Sequence, residues 1–256
     1  MTKKNPTPRL ALALLLAAVA GAAHADGLSD LRGALARLQG QTALKASVQA
    51  RDWRRTGEGK DAKETQGQAS IGLDDGPRGL QPVYSNELLA RFDAESRAAI
   101  KDKSAKKPLS QALSQVEFDE LHALASAAPA LQREIEDAQF KGESPDTWAG
   151  KPARKLMFEG SLDSLSESNR KYVREFKLQL SVWIAADGTP LASQRHLDLS
   201  GRAFVVIGFE QHSDEQRSFA VVGDRLVATS HDEKGSAKGA GETQDYRTER
   251  SLQVLQ

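Results

Sequence analysis

The chain has 256 residues, with 35 basic and 35 acidic side chains and no cysteine. The absence of cysteine excludes disulfides, thiolate metal sites, a cysteine nucleophile and a lipid-modified N-terminal cysteine. The balanced charge creates no broad electrostatic field, which argues against nucleic acid as a partner.

The N-terminal segment has the three parts of a secretory signal sequence. Three basic side chains lie among the first nine residues, an apolar run covers residues 10–22, and small residues follow up to Ala25. This pattern predicts a signal peptide over residues 1–25 that is cleaved between Ala25 and Asp26, and it is typical of export to the periplasm. The apolar run is shorter than the roughly 20 residues that span a bilayer, so we expect no membrane span after its removal. An uncleaved anchor is the alternative.

The first part of the mature chain predicts one helix followed by strands. Leucines at spacings of three and four residues form one apolar face of a helix over residues 27–38, with Ser29 as its N-cap. Apolar and polar residues alternate over residues 44–51, as in a strand with one buried face. We expect two more strands around an Asp-Gly-Pro turn, at residues 68–73 and 79–84.

Residues 86–141 predict a helical block. Alanine is dense there and apolar residues recur at helical spacing, which favours helices over strands. A segment with glycine and proline follows, and we interpret residues 142–152 as a linker loop.

The C-terminal part predicts a series of antiparallel strands. Residues 176–184 alternate most clearly, and hairpins continue to a closing strand at residues 246–254. Residues 234–241 are expected to form a glycine-rich loop. These patterns predict an α+β fold, with a curved antiparallel sheet of about eight or nine strands, an N-terminal helix and the central helical block. Residues 26–256 would be a single domain, with a helical insertion at residues 86–141.

Motifs of catalytic and metal sites are not found in the sequence. It has no H-E-x-x-H, no G-x-S-x-G and no G-x-x-x-x-G-K-[ST]. No two histidines after the signal have the i, i+4 spacing of a helical metal site, so we predict no metal ligands, no cofactor and no catalytic residues. The arginines around Trp53 are typical of a nucleic-acid contact. In an exported chain of near-zero charge, we favour arginines that cover the ring.

The strand over residues 176–184 has two faces. Its apolar face is either plain core or the wall of a cavity under the helical block, because both give the same alternation. Trp183 falls on the opposite face among polar residues. We predict that it is exposed there, covering the sheet or contacting a partner.

The order of these elements resembles that of one known family. A short amphipathic helix is followed by strands, a helical block and a long antiparallel series. The early strand–turn–strand reads Gly-Leu-Asp-Asp-Gly-Pro-Arg-Gly-Leu at residues 72–80, and the later series includes Trp-Ile-Ala-Ala-Asp-Gly-Thr-Pro-Leu at residues 183–191. This order is similar to that of the periplasmic lipoprotein-carrier superfamily. The resemblance implies a half-open antiparallel barrel with a helical lid, and binding of lipoprotein acyl chains in its apolar concavity.

Together these observations predict an exported, periplasmic, non-enzymatic binding or carrier-like protein whose partner is a lipid or lipoprotein. We expect the apolar chain to lie between the sheet and the helices, against Leu88, Phe92, Phe176, Leu178, Leu180 and Val182. The alternative is an interaction or assembly module of the cell envelope without a small-molecule ligand, in which Trp183 contacts an envelope protein. A hydrolase is a third interpretation, and no motif indicates one.

Overall fold

A computed structural model describes residues 26–40, 42–114, 116–203 and 207–255 of the protein. The predicted signal peptide over residues 1–25 lies outside the described residues, and so does Ala25 on one side of the predicted cleavage position. Asp26 is the first described residue, and its carboxylate accepts a hydrogen bond from the backbone N–H of Leu28 at 3.2 Å. Asp26 rather than Ser29 therefore caps the first helix, because the helix begins two residues before the predicted cap.

The described elements follow the predicted order of an N-terminal helix, a first group of strands, a helical block and a longer second group of strands. The helices are α1 (Gly27–Arg37), α2 (Asn86–Lys101), α3 (Pro108–Ser114), α4 (Phe118–Ala125), α5 (Ala127–Glu136) and α6 (Glu167–Arg170). The strands are β1 (Leu44–Thr56), β2 (Lys63–Gly76), β3 (Gly79–Val83), β4 (Ala138–Trp148), β5 (Lys151–Gly160), β6 (Val173–Ile184), β7 (Pro190–Ala203), β8 (Ile207–Val222), β9 (Arg225–Gly239) and β10 (Glu242–Val254).

The described strands form one ten-stranded antiparallel sheet in the order β3-β2-β1-β10-β9-β8-β7-β6-β5-β4. Strands β4 to β10 pair with one another in chain order. Strand β1 pairs with β10, and β2 and β3 follow β1 towards the other edge. The sheet is open, with β3 and β4 as its edges. The α+β class, the antiparallel sheet, the N-terminal helix and the central helical block are confirmed, with ten strands rather than eight or nine.

The main departure from the predicted elements is the hairpin of β4 and β5. The expected linker at residues 142–152 is instead two paired strands, and the helical block ends at Glu136 rather than at residue 141. The turn consists of Ala149 and Gly150, which both have positive φ, 49° and 76°. The strand was not predicted because it contains Pro145, which an edge strand such as β4 tolerates.

The glycine-rich segment at residues 234–241 is mostly strand rather than loop. Strand β9 continues to Gly239, and only Ala240 and Gly241 form the turn to β10. Gly235 lies opposite Tyr246 in the sheet, and a Cβ atom there would come within 2.7 Å of the tyrosine ring. The close approach of this ring explains the glycine.

The main core lies on one face of the sheet, which we call the helix face. Helices α1, α4 and α5 pack there, and the core joins their apolar side chains to those of both ends of the sheet. The sheet therefore curves around these helices. Among the core side chains are Leu35 of α1, Leu131 of α5, Val48 of β1, Phe158 of β5 and Leu226 of β9. The opposite face, which we call the open face, carries alternate residues such as Lys177, Gln179 and Ser181 of β6.

Helices α2 and α3 form a small separate cluster at the β2 side of the sheet. Leu88 of α2 packs with Ala69 of β2 and with Leu109 and Ala112 of α3. Glu95 of α2 caps α3, because its carboxylate accepts the backbone N–H of Leu109 at 2.9 Å. None of the helices that the structure describes is long and apolar enough to cross a membrane.

Candidate functional site

The six residues predicted to bind a ligand fall into three environments. Leu180 and Val182 of β6 are fully buried in the main core under the helices. Leu88 is buried in the separate cluster of α2 and α3, whereas Phe92 of α2 is 40% exposed. The structure therefore does not bring the α2 residues and the β6 residues together in one pocket. The remaining two, Phe176 and Leu178, lie further along β6 and are partly exposed.

Phe176 and Leu178 belong to an apolar strip on the helix face. In the sheet, Leu178 is opposite Leu197 and Phe176 is opposite Leu199. The next pair along, Gly201 and Phe209, places the phenylalanine ring over the glycine. Directly opposite residues share a face, so these side chains adjoin. We call the following residues the apolar strip: Phe176, Leu178, Leu197, Leu199 and Phe209. Four of them are partly exposed, and Leu197 is nearly buried.

A group of charged side chains around the buried Glu215 lies beside the strip on the helix face. Glu215 of β8 lies 3.1 Å from Arg195 and 3.2 Å from His231, and it also pairs with Arg217. Arg217 in turn lies 2.6 Å from Glu134 of α5. We call Glu134, Arg195, Glu215, Arg217 and His231 the buried ion cluster. It fixes α5 to the sheet through charge as well as through apolar contact.

The partners of Glu215 determine its charge. Burial alone would raise the pKa of Glu215, but the contact with His231 and the two guanidinium groups outweigh burial and hold this pKa well below its usual range. The carboxylate is therefore ionised and has its charge balanced by arginine. Such a cluster is saturated, because both oxygens of Glu215 already face cations.

A second ion pair and a tyrosine continue the polar part of this face. Arg250 of β10 lies 2.8 Å from Glu120 of α4. Burial is the largest influence on Glu120 and raises its pKa. The hydroxyl of Tyr246 donates a hydrogen bond of 3.0 Å to Glu233. Burial and the charge of Glu233 raise the pKa of Tyr246 to about 12.

The open face carries a long polar groove. One part, of about 790 Å³, lies between β2 and β9 and includes Trp53 and Arg247. The adjoining part, of about 940 Å³, crosses β6 to β10 and includes Gln179, Gln216 and Lys234. Lys234 and Arg247 line both parts, so the groove is continuous. Trp53 is half-buried and lies opposite Arg247 in the sheet, and coverage of its ring by the neighbouring arginines stays a prediction.

Two histidines and two aspartates form a square on the open face, where His196 and Asp214 line the second part of this groove and Asp198 and His212 line an adjoining pocket of about 680 Å³. His196 and Asp198 of β7 face Asp214 and His212 of β8, with each histidine opposite an aspartate. The Nδ1 atom of His196 lies 2.8 Å from Asp214, and its Nε2 atom lies 2.9 Å from Asp198. The Nδ1 atom of His212 lies 2.7 Å from Asp198, and its Nε2 atom lies 3.3 Å from Asp214. Hydrogen bonds to both aspartates raise the pKa of His196. We call these four residues the His-Asp square.

The square was not predicted, because its two histidines do not have the helical spacing of a metal site. The signal is a repeated His-x-Asp, at residues 196–198 and 212–214. In a strand, residues two apart share a face, so each segment presents one imidazole and one carboxylate on the same side. Which strands are neighbours, and in which register, is not visible in the local pattern.

Trp183 lies on the open face, as its position in the strand predicts, but the expectation that it is exposed is wrong. The side chain is 5% exposed and packs against Trp148, with ring centroids 5.1 Å apart. Its indole N–H donates a hydrogen bond of 2.8 Å to Asp146. The unpredicted β4–β5 hairpin supplies both partners. Contact of Trp183 with another protein stays a prediction.

Comparison with known proteins gives one solved structure of low similarity. No family model and no curated protein matches the chain. Among solved structures, the crystal structure of a LolA superfamily protein from Nitrosomonas europaea matches with 15% identity, over 90% of this chain and 95% of that chain, at a TM-score of 0.27.

Proposed function

We propose that the protein is a non-enzymatic binding protein of the periplasm that holds an apolar chain against the apolar strip. The chain would be the acyl group of a lipid or lipoprotein. The observation that carries this proposal is the strip itself, since its leucine and phenylalanine side chains adjoin in register and four of the five stay partly exposed. Adjoining apolar side chains left partly exposed beside a packed core are typical of a binding surface.

The strip can supply the free energy that such binding needs. Burial of apolar surface contributes about 25 cal/mol per Å², so a contact of roughly 300 Å² contributes about 7 kcal/mol before the cost of ordering the chain. This would give a weak and reversible complex, as a carrier that releases its cargo requires.

Arg195 gives the strip a polar end. It precedes Leu197 by two residues on the same face, and its side chain remains 35% exposed although it pairs with Glu215. A guanidinium group at this position favours an anionic carboxylate or phosphate at the end of the acyl chain. The proposed ligand therefore lies with its charged end near Arg195 and its apolar chain towards Phe209.

A fluorescent fatty acid tests this proposal. We expect saturable binding of dansyl-undecanoic acid by the full protein. Leu178→Gln removes one apolar contact from the strip and should weaken binding about tenfold, which corresponds to about 1.4 kcal/mol. Met157→Gln is the matched control, because Met157 is 38% exposed and lies on the open face opposite Ser181. Binding that is absent, or that both substitutions weaken equally, would contradict the proposal.

The location is tested separately from binding. The signal sequence predicts that the mature chain begins at Asp26 and that it is recovered in the periplasmic fraction. N-terminal sequencing after osmotic release checks both points. Recovery of the uncleaved chain with the membrane fraction would contradict them.

A second candidate function follows from helix α2. Among the described residues of this helix only Leu88 is buried, whereas Leu89, Phe92 and Ile100 are 49%, 40% and 84% exposed. An amphipathic helix with an exposed apolar side favours the interpretation as an envelope interaction module. Substitution of Leu89 and Phe92 by serine would then abolish co-purification of one stoichiometric partner and leave fatty-acid binding unchanged. The opposite pattern would assign α2 to ligand binding.

A further inference from the structure

We propose that the His-Asp square is a binding site for a divalent transition-metal ion such as Zn²⁺, with His196, His212 and Asp214 as ligands and Asp198 as the residue that orients His212. This site lies on the open face, on the opposite side of the sheet from the apolar strip. The proposal is therefore independent of the proposed function, and either can fail without the other.

The sheet places the four side chains by backbone geometry alone. Antiparallel pairing puts His196 opposite Asp214 and Asp198 opposite His212 on the adjacent strands β7 and β8. The two histidines consequently lie on one diagonal and the two aspartates on the other. The imidazole rings meet edge to face, with centroids 5.0 Å apart. Because both strands are interior strands of the sheet, this arrangement rests on rigid elements rather than on a loop.

The donor atoms are close enough for one ion. One ligand atom from each of His196, His212 and Asp214 lies within 4.8 Å of the others. In a tetrahedral zinc site with bonds of about 2.0–2.1 Å, ligand atoms lie about 3.3 Å apart. Binding of one ion would therefore require rotation of the three half-buried side chains towards one another.

The donor types indicate the class of metal. Imidazole nitrogen together with carboxylate oxygen is typical of zinc and its neighbours among the transition metals, whereas calcium and magnesium prefer oxygen ligands alone. Three protein ligands leave a fourth position, which would face the open groove and hold water or a group of another molecule.

The remaining contacts supply the support that metal-bound histidines need. With the Nδ1 atom of His196 and the Nε2 atom of His212 on the metal, the other ring nitrogens keep their contacts to Asp198, at 2.9 Å for His196 Nε2 and 2.7 Å for His212 Nδ1. A ligating histidine ordinarily donates its other N–H to a carboxylate in this way, which fixes the ring and increases its basicity.

The charges around the square also favour a cation. Two carboxylates face two imidazoles, and the nearest lysine nitrogen in the described contacts is that of Lys234, 3.7 Å from Asp214. Its side chain is 70% exposed, so it can withdraw into water. Lys177 lies opposite Asp198 from the other side and is exposed. No arginine contacts the square in the part of the chain that the structure describes, unlike Glu215 in the buried ion cluster.

The test is a zinc competition titration of the untagged protein. The protein is freed of metal with a chelator and titrated with ZnCl₂ in the presence of a chromogenic zinc indicator. We expect one zinc ion per chain. Asp198→Asn should weaken binding about 10–100-fold, as for other residues that orient a ligand, and His212→Ala should weaken it more than about 100-fold. His122→Ala is the matched control, because His122 is exposed on α4 outside the square.

Equal zinc affinity in the unsubstituted protein and in His212→Ala would overturn the proposal. NMR of the unsubstituted protein supplies a second measurement that needs no variant. Zinc should shift the imidazole signals of His196 and His212 and leave those of His122 and His231 unchanged. Shifts confined to His122 or His231 would equally overturn the site.

Discussion

Two charged clusters lie back to back on the same strands, and they differ in what surrounds them. Asp214 and Glu215 are consecutive residues of β8, yet they face opposite sides of the sheet. Glu215 has a side chain only 6% exposed and is surrounded by two guanidinium groups and His231. Asp214 has a side chain 40% exposed, and its close partners are two imidazole rings.

This difference separates a structural cluster from a cluster that can bind an ion. A buried carboxylate must be paired, because an uncompensated charge in the interior is costly. Its partners then leave no ligand atom for a metal. A half-exposed carboxylate has no such requirement, so it can bind a metal ion together with imidazole ligands. Strand alternation alone assigns neighbouring residues of one strand to these two roles.

The largest expected effect is on the buried side of this comparison. Glu215→Gln removes the charge that balances Arg195 and Arg217, and should lower the free energy of unfolding by about 3–5 kcal/mol. Asp214→Asn is the matched substitution on the open face and should cost less than about 1 kcal/mol. Urea denaturation followed by circular dichroism measures both. Equal losses would mean that the two clusters do not differ in the way described.

The helix face itself contains a comparable contrast along β6. Leu180→Ala empties part of the packed core and should destabilise by about 2–5 kcal/mol. Leu178→Ala, two residues away on the same face, should cost only about 1 kcal/mol because the apolar strip is partly exposed. Thermal unfolding of the two variants tests this. A larger loss for Leu178→Ala would show that the strip is packed core and not a binding surface.

The smallest expected effect concerns Tyr246 at high pH. Its pKa is about 12 in the folded protein, against about 10 for an unfolded tyrosine. Between about pH 10 and 12 the unfolded chain therefore loses a proton that the folded chain keeps, so stability falls as pH rises through this window. Ultraviolet absorbance should show one tyrosine that ionises near pH 12, and Tyr246→Phe should remove it. Ionisation of all tyrosines near pH 10 would contradict the raised pKa of Tyr246 beside Glu233.

The sequence was sufficient for the elements with clear local patterns. Alternation over residues 176–184 predicts β6 and the faces of its side chains, and alanine-rich helical spacing predicts the block that begins at Asn86. Strand β4 was missed because edge strands tolerate Pro145 and polar residues, which read as a loop.

The candidate sites depended on long-range pairing and were less predictable. Three of the six predicted ligand residues, Leu88, Leu180 and Val182, are buried. On β6 a single apolar alternation continues from the packed core into the partly exposed strip, so the local pattern does not separate the two. The His-Asp square requires the register of β7 against β8. Burial of Trp183 requires Trp148, which comes from a strand that the local pattern did not predict.

Native mass spectrometry of the protein, produced with its own signal sequence and released gently from the periplasm, tests the central claim most directly. We expect the mass of residues 26–256 together with a population that carries one added acyl-chain or lipid mass, and loss of this added mass in Leu178→Gln but not in Met157→Gln. Only the bare mass in all three proteins would contradict the claim that the apolar strip binds an acyl chain.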